Sequence, residues 1–194
     1  MRFSADCEAS NASVKKIPTI FERDWEGNRS RVLDQPVPGC EWVFAGEGVA
    51  TRKYDGSACM VEDGVLWKRH EVRQGKQTPE GFRLVEDDLE TGKTVGWVAV
   101  GDGPEDKWHR DAFARDMTLA DGTYELVGPK VQGNPESFEQ HTLVRHSDAE
   151  SYIVPRDYEG MRDLLAELGV EGFVFHHEDG RMAKIKGRDF GLRR

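Results

Sequence analysis

The sequence has no long apolar run. None of its hydrophobic stretches approaches the ~20 residues that a membrane-spanning helix needs. The opening MRFSADCEASNASVKK lacks the apolar centre of a secretion signal, and residues 1–14 are small and polar, as in a flexible tail. Cysteine is scarce. Cys7, Cys40 and Cys59 form neither a CxxC pair nor an even framework, which excludes a disulfide scaffold and a zinc ribbon and implies a reduced, cytoplasmic setting. The adjacent His176 and His177 have no further ligand at metal-site spacing. Internal repeats and low-complexity segments beyond the N-terminus are absent. An excess of cations is missing too: the formal charge of −9 argues against a protein that coats nucleic acid without specificity.

What is present suits a single domain over residues 15–194, 37% apolar and 32% charged, with 21 glycines marking many turns. Residues 47–53 (EGVATRK) and 57–69 (SACMVEDGVLWKR) read as short strands, the latter folded at Asp63-Gly64, a strong two-residue hairpin signal. Residues 104–117 read as a helix with Trp108, Ala112 and Phe113 on one side. Residues 121–128 (DGTYELVG) read as a turn and a strand ending at Gly128-Pro129. In DYEGMRDLLAELG, residues 157–169, Met161, Leu164, Leu165 and Leu168 recur at helical spacing, with Asp157 to cap the start and Gly169 to end it. The fold class is α+β, built of antiparallel sheets with flanking helices.

The segment VEGFVFHHEDGRMAKIKGRDFG, residues 170–191, reads as strand, turn, strand. With Asp179-Gly180 as a two-residue loop, Phe175 faces Lys184, Phe173 faces Lys186 and Glu171 faces Arg188 on one side of the sheet. Val174 then pairs with Ile185, and His176 with Ala183, on the core side. From residue 181 onward six basic residues (Arg181, Lys184, Lys186, Arg188, Arg193 and Arg194) stand against Asp189 alone. Two lysines and a carboxylate on paired strands can grip a polyphosphate with its metal, the acid holding Mg²⁺ and the ammonium groups neutralising phosphate oxygens. Solvated lysines lying over phenylalanine carbons are the plainer alternative.

Four motifs, KYDGS at 53–57, YELVG at 124–128, EGFVF at 171–175 and AKIKGRDF at 183–190, resemble in order and spacing those of covalent nucleotidyltransferases: ATP-dependent RNA and DNA ligases and mRNA-capping enzymes. The form of the last two motifs, with KKIPTIFERD at 15–24, is most similar to small RNA ligases. The resemblance spans residues 15–190 and implies a nucleotidyltransferase (adenylation) domain without the OB domain that many ligases carry after the lysine motif. It implies Lys53 as the nucleophile that takes AMP from ATP, with Asp55 and Gly56 completing its motif and Arg52 beside it in the nucleotide-binding set. Glu125 would lie near ribose and metal, Glu171 at the metal (Mg²⁺ or Mn²⁺), and Lys184 and Lys186 on the phosphates. The ribose-contacting arginine is Arg69, with Arg73 the alternative; the adenine-stacking aromatic is Phe138 or Tyr152. The activity implied is joining of RNA 3′-hydroxyl and 5′-phosphate ends through lysyl–AMP and RNA–adenylate. DNA ligase, capping-type enzyme and non-catalytic nucleotide- or RNA-binding module are the competing readings. A lysine is protonated at neutral pH, and nearby cations and desolvation are the environments that favour the attacking free amine.

Overall fold

The computed structural model describes residues 16–88, 92–116 and 118–193. The expected N-terminal tail lies outside them. In chain order the elements are β1 (Phe21–Arg23), β2 (Val32–Pro36), α1 (Glu41–Phe44), β3 (Val49–Lys53), β4 (Ser57–Glu62), β5 (Val65–Arg73), β6 (Arg83–Asp88), β7 (Lys93–Ala99) and α2 (Lys107–Phe113). They continue with β8 (Gly122–Val127), β9 (Thr142–Arg145), β10 (Ser151–Tyr152), α3 (Tyr158–Leu168), β11 (Gly172–His176) and β12 (Met182–Lys186). The architecture is α+β with mostly antiparallel sheets. Among the described residues, no helix is long and apolar enough to cross a membrane.

Local chemistry sets the elements that the sequence marks most clearly. Asp63 and Gly64 have φ of 51° and 73°, so the β4–β5 loop uses two left-handed residues, matching the twist of the flanking strands. Asp157 accepts a hydrogen bond from the Gly160 N–H at 2.8 Å, and Gly169 closes α3 at φ 63°. Met161 and Leu165 are buried and Leu164 partly so, while Leu168 is 37% exposed, so the apolar stripe ends one turn early. Strands β6 and β7 form in a stretch where no apolar periodicity had pointed to them.

A six-stranded sheet, ordered β6-β7-β5-β4-β8-β9, covers α2 with one face: Cys59, Val61, Leu66, Tyr124 and Leu126 pack with Ala112, Trp108 and Phe113. A four-stranded sheet, ordered β10-β3-β11-β12, buries Ala50, Phe173, Phe175, Ala183 and Ile185 in a core with Met161 and Leu165 of α3. Segment 18–20 covers the outer edge of β12: the Lys184 N–H donates to Pro18 O at 2.8 Å and the Ile20 N–H to Lys184 O at 3.0 Å.

The β11–β12 hairpin differs from the expected register by one residue. Phe173 pairs with Ile185, Phe175 with Ala183, Val174 with Lys184 and Gly172 with Lys186; the expected Phe–Lys and Glu171–Arg188 pairs do not form. The loop has three residues, not two: the His177 N–H donates to Arg181 O at 2.9 Å and Gly180 adopts φ 90°. The apolar pattern demands this register, because it gathers Phe173, Phe175, Ala183 and Ile185 on one face, each 0% exposed. Val174 and His176, expected in the core, lie on the lysine face, half-buried.

Truncating Ile185 to alanine is expected to cost about 2–5 kcal/mol, since its side chain is fully enclosed. Urea denaturation checks this, and a loss below about 1 kcal/mol would contradict the packing described.

Candidate functional site: a lysine row bridged by one carboxylate

Strands β3, β11 and β12 run side by side, so their register arranges side chains in rows across the sheet. Lys53, Gly172 and Lys186 form the outermost row, and Thr51, Val174 and Lys184 the next one inward. All lie on the face opposite the core. Gly172 has no room for a side chain: a Cβ there would meet Ile185 O at 2.1 Å. The centre of the outer row is therefore open, and the carboxylate of Glu171 fills it. Its Oε2 accepts from Lys53 Nζ at 2.6 Å, and its Oε1 from Lys186 Nζ at 2.7 Å. Lys53 Nζ also donates to Tyr54 O at 3.3 Å.

Glu171 is only 8% exposed. Burial pushes its pKa up, but the two ammonium groups outweigh that and hold the carboxyl below its usual range. Lys184 belongs to the same electrostatic unit. Burial first, then repulsion from Lys186, Lys53 and Arg69, pulls its pKa from 10.5 down to about 8.

The six-stranded sheet supplies the facing wall. Ala58 pairs with Glu125, and alternation puts Glu125 on the face away from Tyr124 and Leu126, as it puts Arg69 on the face away from Leu66. Arg69 is among the cations that repel Lys184. Tyr54, Asp55 and Gly56 carry the chain from one sheet to the other. Gly56 permits a close approach there, since a Cβ would lie 2.1 Å from Leu126 O and 2.9 Å from Glu125 Cγ. Its N–H donates to Glu125 Oε1 at 3.1 Å, and His146 Nε2 lies 3.1 Å from Glu125 Oε2. His146 Nδ1 reaches Thr123 Oγ1 at 3.0 Å, so Glu125 is fixed at both oxygens.

Among the sequence-predicted residues, Lys53, Lys184, Lys186 and Glu171 come together, with Arg69 and Glu125 on the opposing wall. Arg73 is exposed at the far end of β5. Arg52 does not join the lysine row: it points the other way from β3, donates to Glu136 Oε2 at 2.5 Å and lies 4.7 Å from the centre of the Tyr54 ring. The Asp55 N–H donates to Glu136 Oε1 at 3.0 Å, so Glu136 braces both flanks of Lys53. Tyr152 packs on Phe173 of the core face, whereas Phe138 sits against Tyr54, ring centres 6.5 Å apart. His176 and His177 diverge, the first to Thr51 Oγ1 at 3.0 Å and the second to Glu47 at 2.8 Å. Among the described residues, no group of three or more His, Cys, Asp or Glu is placed to hold a metal.

Glu136, His146, Val174 and Gly172 were missed as site residues. Gly172 and Val174 were legible in principle, since the correct hairpin register places them among the lysines. Glu136 lies in an irregular segment with no local signal. His146 becomes visible only once β8 and β9 are paired.

No protein-family model matches the chain, and no curated protein matches it.

The lowered pKa of Lys184 gives a test with a definite sign. At pH 7 the native state carries a cation held against burial and three neighbouring positive charges, so Lys184→Met is expected to raise the unfolding midpoint. Above pH 8 the native-state lysine loses its proton before the unfolded one does, and wild-type stability gains on the variant up to about pH 10.5. Denaturation of both proteins from pH 6 to 11 measures the difference; a difference flat across that range would contradict the placement of Lys184.

Proposed function

We propose that the protein is an ATP-dependent RNA ligase built on a nucleotidyltransferase fold. The observation that carries this reading is the row Lys53–Glu171–Lys186 with Lys184 beside it: a primary amine held by one carboxylate among further cations. The arrangement suits capture of a triphosphate and attack on it. Glu171 pairs with two lysines, and the third, Lys184, feels the charge of both.

In the first step Lys53 nitrogen bonds to the α-phosphorus of ATP and the bond to pyrophosphate breaks. Lys53 starts as the ammonium that pairs with Glu171, so it gives up two protons: one to Glu171 Oε2, at 2.6 Å, which frees the attacking lone pair, and one to solvent as the P–N bond forms. Lys184 and Lys186 offset the charge on the phosphates as pyrophosphate leaves. Val174, between Thr51 and Lys184, gives an apolar floor against which the adenine ring lies, with Phe138 the better placed of the two candidate aromatics. Arg69 and Glu125 face the ribose from the opposite wall. In the second step a 5′-phosphate oxygen of RNA attacks the bound AMP, and in the third a 3′-hydroxyl displaces AMP.

The donor set is compatible with Mg²⁺, which takes one or two carboxylates and completes its shell with phosphate oxygens and water. Both oxygens of Glu171 and of Glu125 are engaged, but each keeps a second lone pair, so either acid can reach the ion. Bound there, the metal would neutralise phosphate charge and orient the triphosphate.

Incubation with labelled ATP and Mg²⁺ is expected to leave one AMP on the denatured protein, through an acid-labile bond to Lys53. Lys53→Ala should abolish the adduct while the protein stays folded; peptide mapping that places AMP on another residue would refute the assignment.

Substrate choice gives a second test. The 2′-hydroxyl distinguishes RNA from DNA at the reacting ends. RNA ends are expected to be sealed far better than all-DNA ends, and deoxy substitution at the terminal nucleotides on the 3′-hydroxyl side should remove much of that preference. Equal sealing of both would favour a general polynucleotide ligase.

A further inference from the structure

Beyond the outer lysine row, the sheet end opens into a cleft of about 310 Å³. Leu165, Ala166 and Val170, at the end of α3 and just after it, form an apolar wall together with Leu192. Arg188 and Arg193 form the rim; both are exposed, and neither guanidinium is engaged in an ion pair among the described residues. The inner end abuts Asp55 and Glu171, the residues that flank and hold Lys53.

We infer that this cleft seats the 5′-phosphorylated terminal nucleotide of the RNA to be activated. The inference rests on the ligase reading above and gives its substrate a place. A triphosphate would make no use of four apolar side chains, whereas a nucleotide presents a flat ring as well as an anion. The C-terminal end of α3 carries partial negative charge, which turns the phosphate away from the helix and towards Arg188 and Arg193. Glu171 contributes little repulsion, because both its oxygens are held by ammonium groups.

The location also fits the chemistry of the second step. An oxygen of the RNA 5′-phosphate bonds to the phosphorus of AMP while the P–N bond to Lys53 breaks. The nitrogen keeps the electron pair and takes a proton from solvent, leaving a lysine and an RNA–adenylate. The attacking phosphate must arrive beside Lys53 from a direction that the adenosine does not occupy. The cleft lies beyond the outer row, whereas Val174 and Lys184 lie inward of it.

The test uses 5′-phosphoryl and 5′-hydroxyl RNA oligonucleotides, with binding read by fluorescence anisotropy and lysyl–AMP formation read in parallel. Arg193→Glu is expected to weaken binding of the 5′-phosphoryl RNA by roughly five- to tenfold, with little change for the 5′-hydroxyl form. Arg193→Lys should stay close to wild type, and Ala166→Trp, which fills the apolar side, should weaken the same RNA. All three variants should form lysyl–AMP at the wild-type rate. If Arg193→Glu and Ala166→Trp bind the phosphorylated RNA like wild type, the inference falls while the ligase reading stands. If Arg193→Glu instead raises the ATP requirement for lysyl–AMP, the cleft belongs to the triphosphate and the inference is overturned. If wild type forms no lysyl–AMP at all, the ligase reading fails, and the inference fails with it.

Discussion

One carboxylate shared by two lysines organises the site. Glu171 is almost fully enclosed, and an enclosed anion is costly unless it is paired and hydrogen-bonded. Lys53 and Lys186 meet that need from opposite sides, at 2.6 and 2.7 Å. The arrangement is poor as a device for stability, because desolvating three charges offsets much of their attraction. It is effective as a device for position. Both long, flexible side chains are held to one point, so the two amines stand apart at a distance that the carboxylate sets. In the proposed reaction an arriving polyphosphate would meet ammonium groups that are already placed.

Missing side chains matter as much as those present. Gly172 stands where a Cβ would strike the Ile185 carbonyl, and Gly56 where it would strike the Leu126 carbonyl. Neither glycine is there for a left-handed backbone; both permit contact between strands. At Gly172 the contact clears the space that Glu171 fills. At Gly56 it brings the chain after Lys53 within hydrogen-bonding range of Glu125, which couples the lysine of one sheet to the acid of the other. A methyl group at either position would push apart backbone segments that now lie in contact.

The sequence carried the local parts of this design and only some of the long-range ones. The Asp63-Gly64 hairpin and the capped helix between Asp157 and Gly169 are written in residues that touch each other, and both form as expected. The lysine hairpin was read one residue out, because Asp179-Gly180 is a hairpin signal that also fits a three-residue loop. The sequence did hold the correcting signal: only the observed register puts Phe173, Phe175, Ala183 and Ile185 on one face. Ile185 was still placed in the core, and the two lysines on the opposite face. The grip of Glu171 on Lys53 joins strands that are 118 residues apart, and no local pattern encodes it. The roles of Glu136 and His146 were invisible for the same reason.

Strand β12 shows how closely folding and the proposed chemistry are interleaved. Ala183 and Ile185 are sealed in the core, while Lys184 and Lys186, one residue away in each case, lie on the opposite face. A strand alternates with a period of two, so these two sets cannot be moved separately: a slip by one residue would expose the core pair and bury both cations. The register is therefore fixed by the apolar set, and the cationic set follows at no further specification. Segment 18–20 reinforces this by hydrogen bonding to both backbone groups of Lys184, pinning the residue whose side chain is held under electrostatic stress. The stability of the hydrophobic face is what allows three lysines to be kept close together on the other, where an incoming anion can offset the repulsion among them.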